Sequence, residues 1–179
     1  MNVTEERFVE VFNRIEEFIE RRYALPVLIR DVTDPFTGDL DGSTIEVDYD
    51  QSCEDALFIV AHLFGHTVQW NTDAAARAIG SAQVVNPSEE FLEQLRQYER
   101  TACRYSLQLF HEAGVIDLDQ WMADFAAWAR HPDGDIPLFN DASLAAEITP
   151  DALLDRLREI GLEVEPSPPR GGRHRHCRR

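Results

Sequence analysis

From Ala56 to Phe64 the chain runs almost unbroken through apolar residues, Ala-Leu-Phe-Ile-Val-Ala-His-Leu-Phe, and a helix built from such a run has to be buried on most of its sides. A chain of this size can provide that only by laying its other elements around it. Ser52 is placed to cap the helix, with Glu54 and Asp55 favourable in its first turn, and the pattern predicts helix to about Trp70. Inside the run stands His62, and His66 follows just past its end. Four residues apart on a helix, they share a face, and both imidazoles can turn toward one ion.

The flanking sequence supplies the surrounding elements. Phe8, Phe12, Ile15 and Ile19 recur at helical spacing between Thr4 and about Arg22, with Val11 and Phe18 widening the stripe. Pro26 to Arg30 reads as a short strand. A loop rich in Asp, Gly and Pro follows, and Ile45 to Tyr49 alternates as a half-buried strand. Asp41-Gly42 supplies the turn a hairpin needs. A short helix is expected over Asp73 to Ile79, and Ser88 opens a long one that reaches about Glu112 and ends at Gly114. On that long helix Phe91, Leu95, Ala102, Ser106 and Leu109 fall on one face, and Glu99 lies among them. A carboxylate in such a stripe needs a partner.

Asp117 or Asp119 starts another helix, whose Trp121, Phe125 and Trp128 suit packing against the body; Thr149, Pro150 and Gly161 bracket a last one. Residues 167–179 contain no core-forming side chains and are expected to be a disordered arginine-rich tail behind a single domain of residues 1–166.

That tail holds five of the 17 arginines, leaving 12 basic against 33 acidic residues before it, a formal −21. Such a body is repelled by nucleic acid phosphates and by anionic membranes, so direct binding to either is not expected. A basic protein partner, such as a DNA-binding regulator, is electrostatically suited to it. Cys53, Cys103 and Cys177 are an odd set without a paired spacing, and the N-terminal residues are acidic where a secretory signal is basic and apolar. The expectation is a soluble protein of the cytoplasm.

Three polar groups, His62, His66 and Glu99, therefore occupy core-facing positions. Each imidazole could be satisfied separately by a carbonyl, as packed histidines usually are. One zinc ion satisfies all three at once and leaves the fourth tetrahedral position to water, as in catalytic zinc sites. Cys103, one turn beyond Glu99, is a candidate to close the site, although a small buried core cysteine is the plainer reading. His111 and His131 sit near helix ends and are expected at the surface, as are His174, His176 and Cys177 in the tail.

Asp41-Gly42-Ser43-Thr44-Ile45-Glu46-Val47-Asp48 leading into Phe58-Ile59-Val60-Ala61-His62-Leu63-Phe64-Gly65-His66, with Tyr98-Glu99-Arg100-Thr101-Ala102-Cys103 beyond, resembles the ImmA/IrrE family of bacterial zinc metallopeptidases over about residues 24–113. The resemblance implies an α+β, mainly helical, zincin-like domain in which a small sheet packs beside the helix of the two histidines; the helices read beyond it form an extension over about 117–161. It also implies zinc held by His62, His66 and Glu99, and a regulatory role in which a DNA-binding repressor is cleaved or disabled.

The departure from the family falls on the chemistry. In the H-E-x-x-H motif the residue after the first histidine is a glutamate that takes a proton from the metal-bound water, and here that position is Leu63. General acid–base help of this kind contributes about a hundredfold to ten-thousandfold in rate. Glu54 and Asp55 lie too far back along the helix to replace it, and Glu46 or Asp48 qualify only where the fold brings them close. The expectation is a degenerate, zinc-binding, metallopeptidase-like protein with weak or absent peptidase activity. The alternative is a non-catalytic protein-binding module in which the site is structural or vestigial.

Overall fold

The computed structural model describes residues 3–33 and 36–128. Its elements are α1 (Glu5–Tyr23), β1 (Val27–Arg30), β2 (Gly38–Leu40), β3 (Ile45–Asp48), α2 (Cys53–Thr72), α3 (Ala74–Gly80), α4 (Glu89–Glu112) and α5 (Asp119–Trp128). Helix predominates, and the three strands form one small mixed sheet, which gives the chain an α+β character. The expected helix over Thr149 to Gly161, His131 and the tail of residues 167–179 lie outside the described residues, as do the side chains of Phe125 and Trp128.

Helix α2 is the axis of the arrangement, and α1, α4, α3, β2 and β3 all pack against it. That is the surround its apolar run demands. Leu57, Val60, Ala61, Phe64 and Val68 are fully buried, joined by Val11, Phe12, Ile15 and Ile19 of α1 and by Leu109 and Phe110 of α4. Phe64 meets Tyr23 at 4.8 Å between ring centroids, and each such buried ring contributes on the order of 2–3 kcal/mol. Trp121 of α5 closes the same core from the far end, against Phe8 and Phe110, and its indole N–H donates to Glu54 at 2.7 Å.

The helix starts are set by side chains that accept otherwise orphaned backbone N–H groups. Thr4 takes that of Arg7, Ser52 that of Asp55, Asp73 those of Ala75 and Ala76, and Ser88 that of Phe91. Helix α2 runs two residues beyond the expected end, and α5 begins at Asp119, while Asp117 forms a two-pronged ion pair with Arg7.

The sheet differs from expectation in two ways. A third strand, β2, lies in the stretch read as loop, and the sheet order is β1-β3-β2 with β1 parallel and β2 antiparallel to β3. The Asp41-Gly42 turn therefore joins β2 to β3. Its closure is local: one Asp41 carboxylate oxygen accepts from the backbone of Ser43 and of Thr44, both at 2.7 Å, and Gly42 takes the positive φ of 90°. Asn71 at the end of α2 donates to the Gly42 carbonyl and ties the turn to the central helix. Gly38 of β2 lies so close to α2 that a Cβ there would stand 2.7 Å from Ile59 and 2.8 Å from Leu63. The small sheet thus packs beside the helix that carries the histidines. Among the described residues no helix is long and apolar enough to cross a membrane.

Candidate metal centre

Two helices bring the centre together, and a glycine sets how closely they meet. Gly65, between the two histidines, faces the backbone of Ala102 on α4, where a Cβ would lie 2.2 Å from the carbonyl oxygen. No side chain fits there. The contact is stitched by buried Ser106, whose hydroxyl lies 2.8 Å from the Ala61 carbonyl and 2.9 Å from that of Ala102. Glu99, three residues before Ala102, is thereby delivered to the histidine face of α2.

His62, His66 and Glu99 then present their polar atoms to one another as a nearly equilateral triangle. The two Nε2 atoms are 3.0 Å apart, and Glu99 Oε2 lies 3.1 Å from that of His62 and 3.2 Å from that of His66. Zinc bonds of about 2.0–2.1 Å in a tetrahedron separate neighbouring ligand atoms by about 3.3–3.4 Å, so the residues present fit a zinc ion with adjustments of a few tenths of an ångström. Among the described residues this is the one group of three metal-ligating side chains that converges in this way.

The electrostatics favour positive charge inside the triangle. Burial acts to raise the Glu99 carboxyl, but hydrogen bonds and charge from the two imidazoles reverse this and hold it well below the usual carboxylate range. Burial also acts against a charged His62, yet Cys103 at one ring nitrogen and Glu99 at the other push its pKa up to about 10. His66 is lowered by burial and by the charge on His62. A raised His62 beside a lowered Glu99 is the pattern of a site that favours a cation.

Contacts behind the triangle complete the site, and the sequence pattern did not reveal them. His66 Nδ1 lies 3.0 Å from Gln69 Oε1, and the ring stacks on Tyr98 at 4.4 Å. His62 stacks on Phe58, and its Nδ1 lies 3.8 Å from the buried, free thiol of Cys103. That contact agrees with the plainer reading of Cys103 as a small buried core residue. Cys103 meets the ring nitrogen turned away from the triangle, so it supports His62 from behind where closing the site would require it in front. The spacing of Gln69, at i+3 from His66 and so on the same helix face, is the one sequence feature that could have pointed to it.

Leu63 points to the sheet, against Gly38, and is partly buried on the main core. Neither strand carboxylate replaces a base at that position. Glu46 pairs with Arg30, while Asp48 accepts from the backbone of Val32 and Asp50. His111 is exposed and bonded to Asp119, apart from the centre.

No protein-family model, curated protein or solved structure matches this chain.

Proposed function

We propose that this chain is a degenerate metallopeptidase-like protein of zincin-like fold, akin to the ImmA/IrrE family, that holds zinc through His62, His66 and Glu99. The observation that carries the reading is the triangle of ligand atoms with edges of 3.0 to 3.2 Å, built on buried His66 and Glu99 and half-buried His62, with the rear nitrogen of each imidazole separately occupied. Structured support behind the ligands is the hallmark of a metal site, since it holds each ring in the orientation the ion requires. When bound, zinc supplies Lewis acidity toward a carbonyl or a water. The protein contributes the two imidazoles, the carboxylate and a dry floor beneath them. It contributes no base at position 63, so peptidase activity is weak or absent.

The acidic body suits a basic protein partner in the cytoplasm, and the resemblance points to a DNA-binding regulator. The packing of Leu63 on Gly38, with no base in its place, favours a second reading: a non-catalytic protein-binding module in which the metal, where present, is structural. Elemental analysis of the untagged protein tests the shared premise: near one zinc per chain, lost in His66→Ala and in Glu99→Ala, is the expected result. A well-folded protein without metal leaves only the binding module.

A further inference from the structure

We infer that Gln69 fixes the tautomer of His66 and so keeps its Nε2 lone pair turned to the cation, making Gln69 a positioning residue of the centre; the inference rests on the metal-binding reading above. A glutamine beside an imidazole does not by itself decide which ring nitrogen carries the proton, because the amide can present either its oxygen or its nitrogen. Here the choice is forced from the other side. Gln69 Nε2 lies 3.0 Å from the carbonyl oxygen of Tyr98, a group that only accepts. The amide nitrogen is committed there, and the oxygen is the atom left facing His66 Nδ1 at 3.0 Å.

An acceptor at that position requires a proton on Nδ1. A neutral imidazole has only one, so Nε2 keeps its lone pair, and Nε2 is the atom in the triangle with His62 and Glu99. Gln69 and His66 are 4% and 6% exposed, which leaves little room for water to take over either role.

The Tyr98 carbonyl is itself held in place. The Tyr98 ring is stacked on His66, and its hydroxyl accepts from the Trp70 indole at 2.7 Å. Gly80, at the end of α3, provides the space for that hydroxyl, since a Cβ at 80 would stand 2.3 Å from it. Helix α3, Tyr98 and Gln69 thus form one continuous support ending at His66 Nδ1.

The test uses the full chain with Gln69→Leu, which removes the acceptor at similar size, and Gln69→Glu, which keeps an oxygen toward His66. Long-range proton–nitrogen NMR of the ion-free protein reads the tautomer, and chelator competition with Zn2+ alone reads affinity. Expected are a wild-type His66 protonated on Nδ1, a shift toward the Nε2–H form in Gln69→Leu with zinc binding about 10- to 100-fold weaker, and retention of the Nδ1 proton in Gln69→Glu, at a loss of stability because the Tyr98 carbonyl then lacks its donor. A wild-type His66 protonated on Nε2 overturns the inference, and that measurement stands even where Gln69→Leu fails to fold. Unchanged tautomer and zinc affinity in Gln69→Leu overturn it too, whatever happens to thermal stability. The expected tautomers with no zinc uptake by the wild type remove the metal-holding role and locate the failure in the metal reading, not in the hydrogen-bond assignment.

Discussion

Gly65 of α2 and Ala102 of α4 meet backbone to backbone, with the position of a Cβ on residue 65 only 2.2 Å from the Ala102 carbonyl oxygen. Two opposing effects follow for Gly65→Ala. Alanine gains about 1 kcal/mol over glycine in helix propensity. Forcing a methyl group into a packed helix contact typically costs about 1–3 kcal/mol, and here the obstacle is backbone, which cannot swing aside. Overlap wins. Urea unfolding of the ion-free variant should show net destabilisation, and zinc binding should weaken because Glu99 is displaced from the histidines. Wild-type stability with wild-type zinc binding would show that the helix approach does not build the centre.

Leu63→Glu places a carboxylate one residue after the first histidine at a partly buried position. Zinc-dependent hydrolysis of a peptide should rise by about a hundredfold or more over the wild type, in line with the usual contribution of a general base. Continued inactivity with zinc bound would favour the binding module.

The proton on His62 gives the centre a defined pH dependence. Its folded pKa, about 10, lies above the ordinary value of 6.5, so its contribution to ion-free stability is complete below pH 6.5 and is lost as pH rises toward 10. Glu99 is shifted the other way. Its contribution is present above its ordinary value of 4.5 and is lost as pH falls through its lowered folded value. Zinc must displace the His62 proton, so its affinity should rise about tenfold per pH unit between roughly pH 6 and pH 8. Chelator competition across that range checks the slope, and a flat profile would mean that no proton leaves the site on binding.

Tyr98→Phe separates scaffold from centre. It removes the acceptor for the half-buried Trp70 indole N–H but retains the ring on His66 and the carbonyl that orients Gln69. Thermal unfolding should show a loss of about 0.5–1.5 kcal/mol, the usual net contribution of such a hydrogen bond, while zinc affinity stays within a few-fold of wild type. A large loss of zinc binding would place the hydroxyl in the ligand support.

Much of this arrangement was legible in the sequence. Ser52 announced the start of α2 as a cap, Ser88 stood at the opening of α4, and the apolar run of residues 56–64 announced a central helix. His62 and His66 were paired by spacing, and Glu99 was betrayed by its place in an apolar stripe. Strand β2 was not legible, because Gly38-Asp39-Leu40 is too short to show alternation and contains the glycine that closeness to Ile59 and Leu63 demands. The parallel pairing of β1 with β3 has no local signal either, since no tight turn joins the two strands and β2 lies between them in the chain. Gln69 and Cys103 acquire their roles only when α2 and α4 cross at Gly65. Residue types alone allowed Cys103 in front of His62, and the crossing put it behind.

The central claim is that His62, His66 and Glu99 hold one ion, and anomalous diffraction from zinc-grown crystals tests it most directly. The predicted result is a single strong zinc peak about 2.0–2.1 Å from both Nε2 atoms and within bonding distance of a Glu99 carboxylate oxygen. Intact, well-ordered side chains at these three positions with no peak between them, or zinc found only elsewhere on the chain, would contradict it.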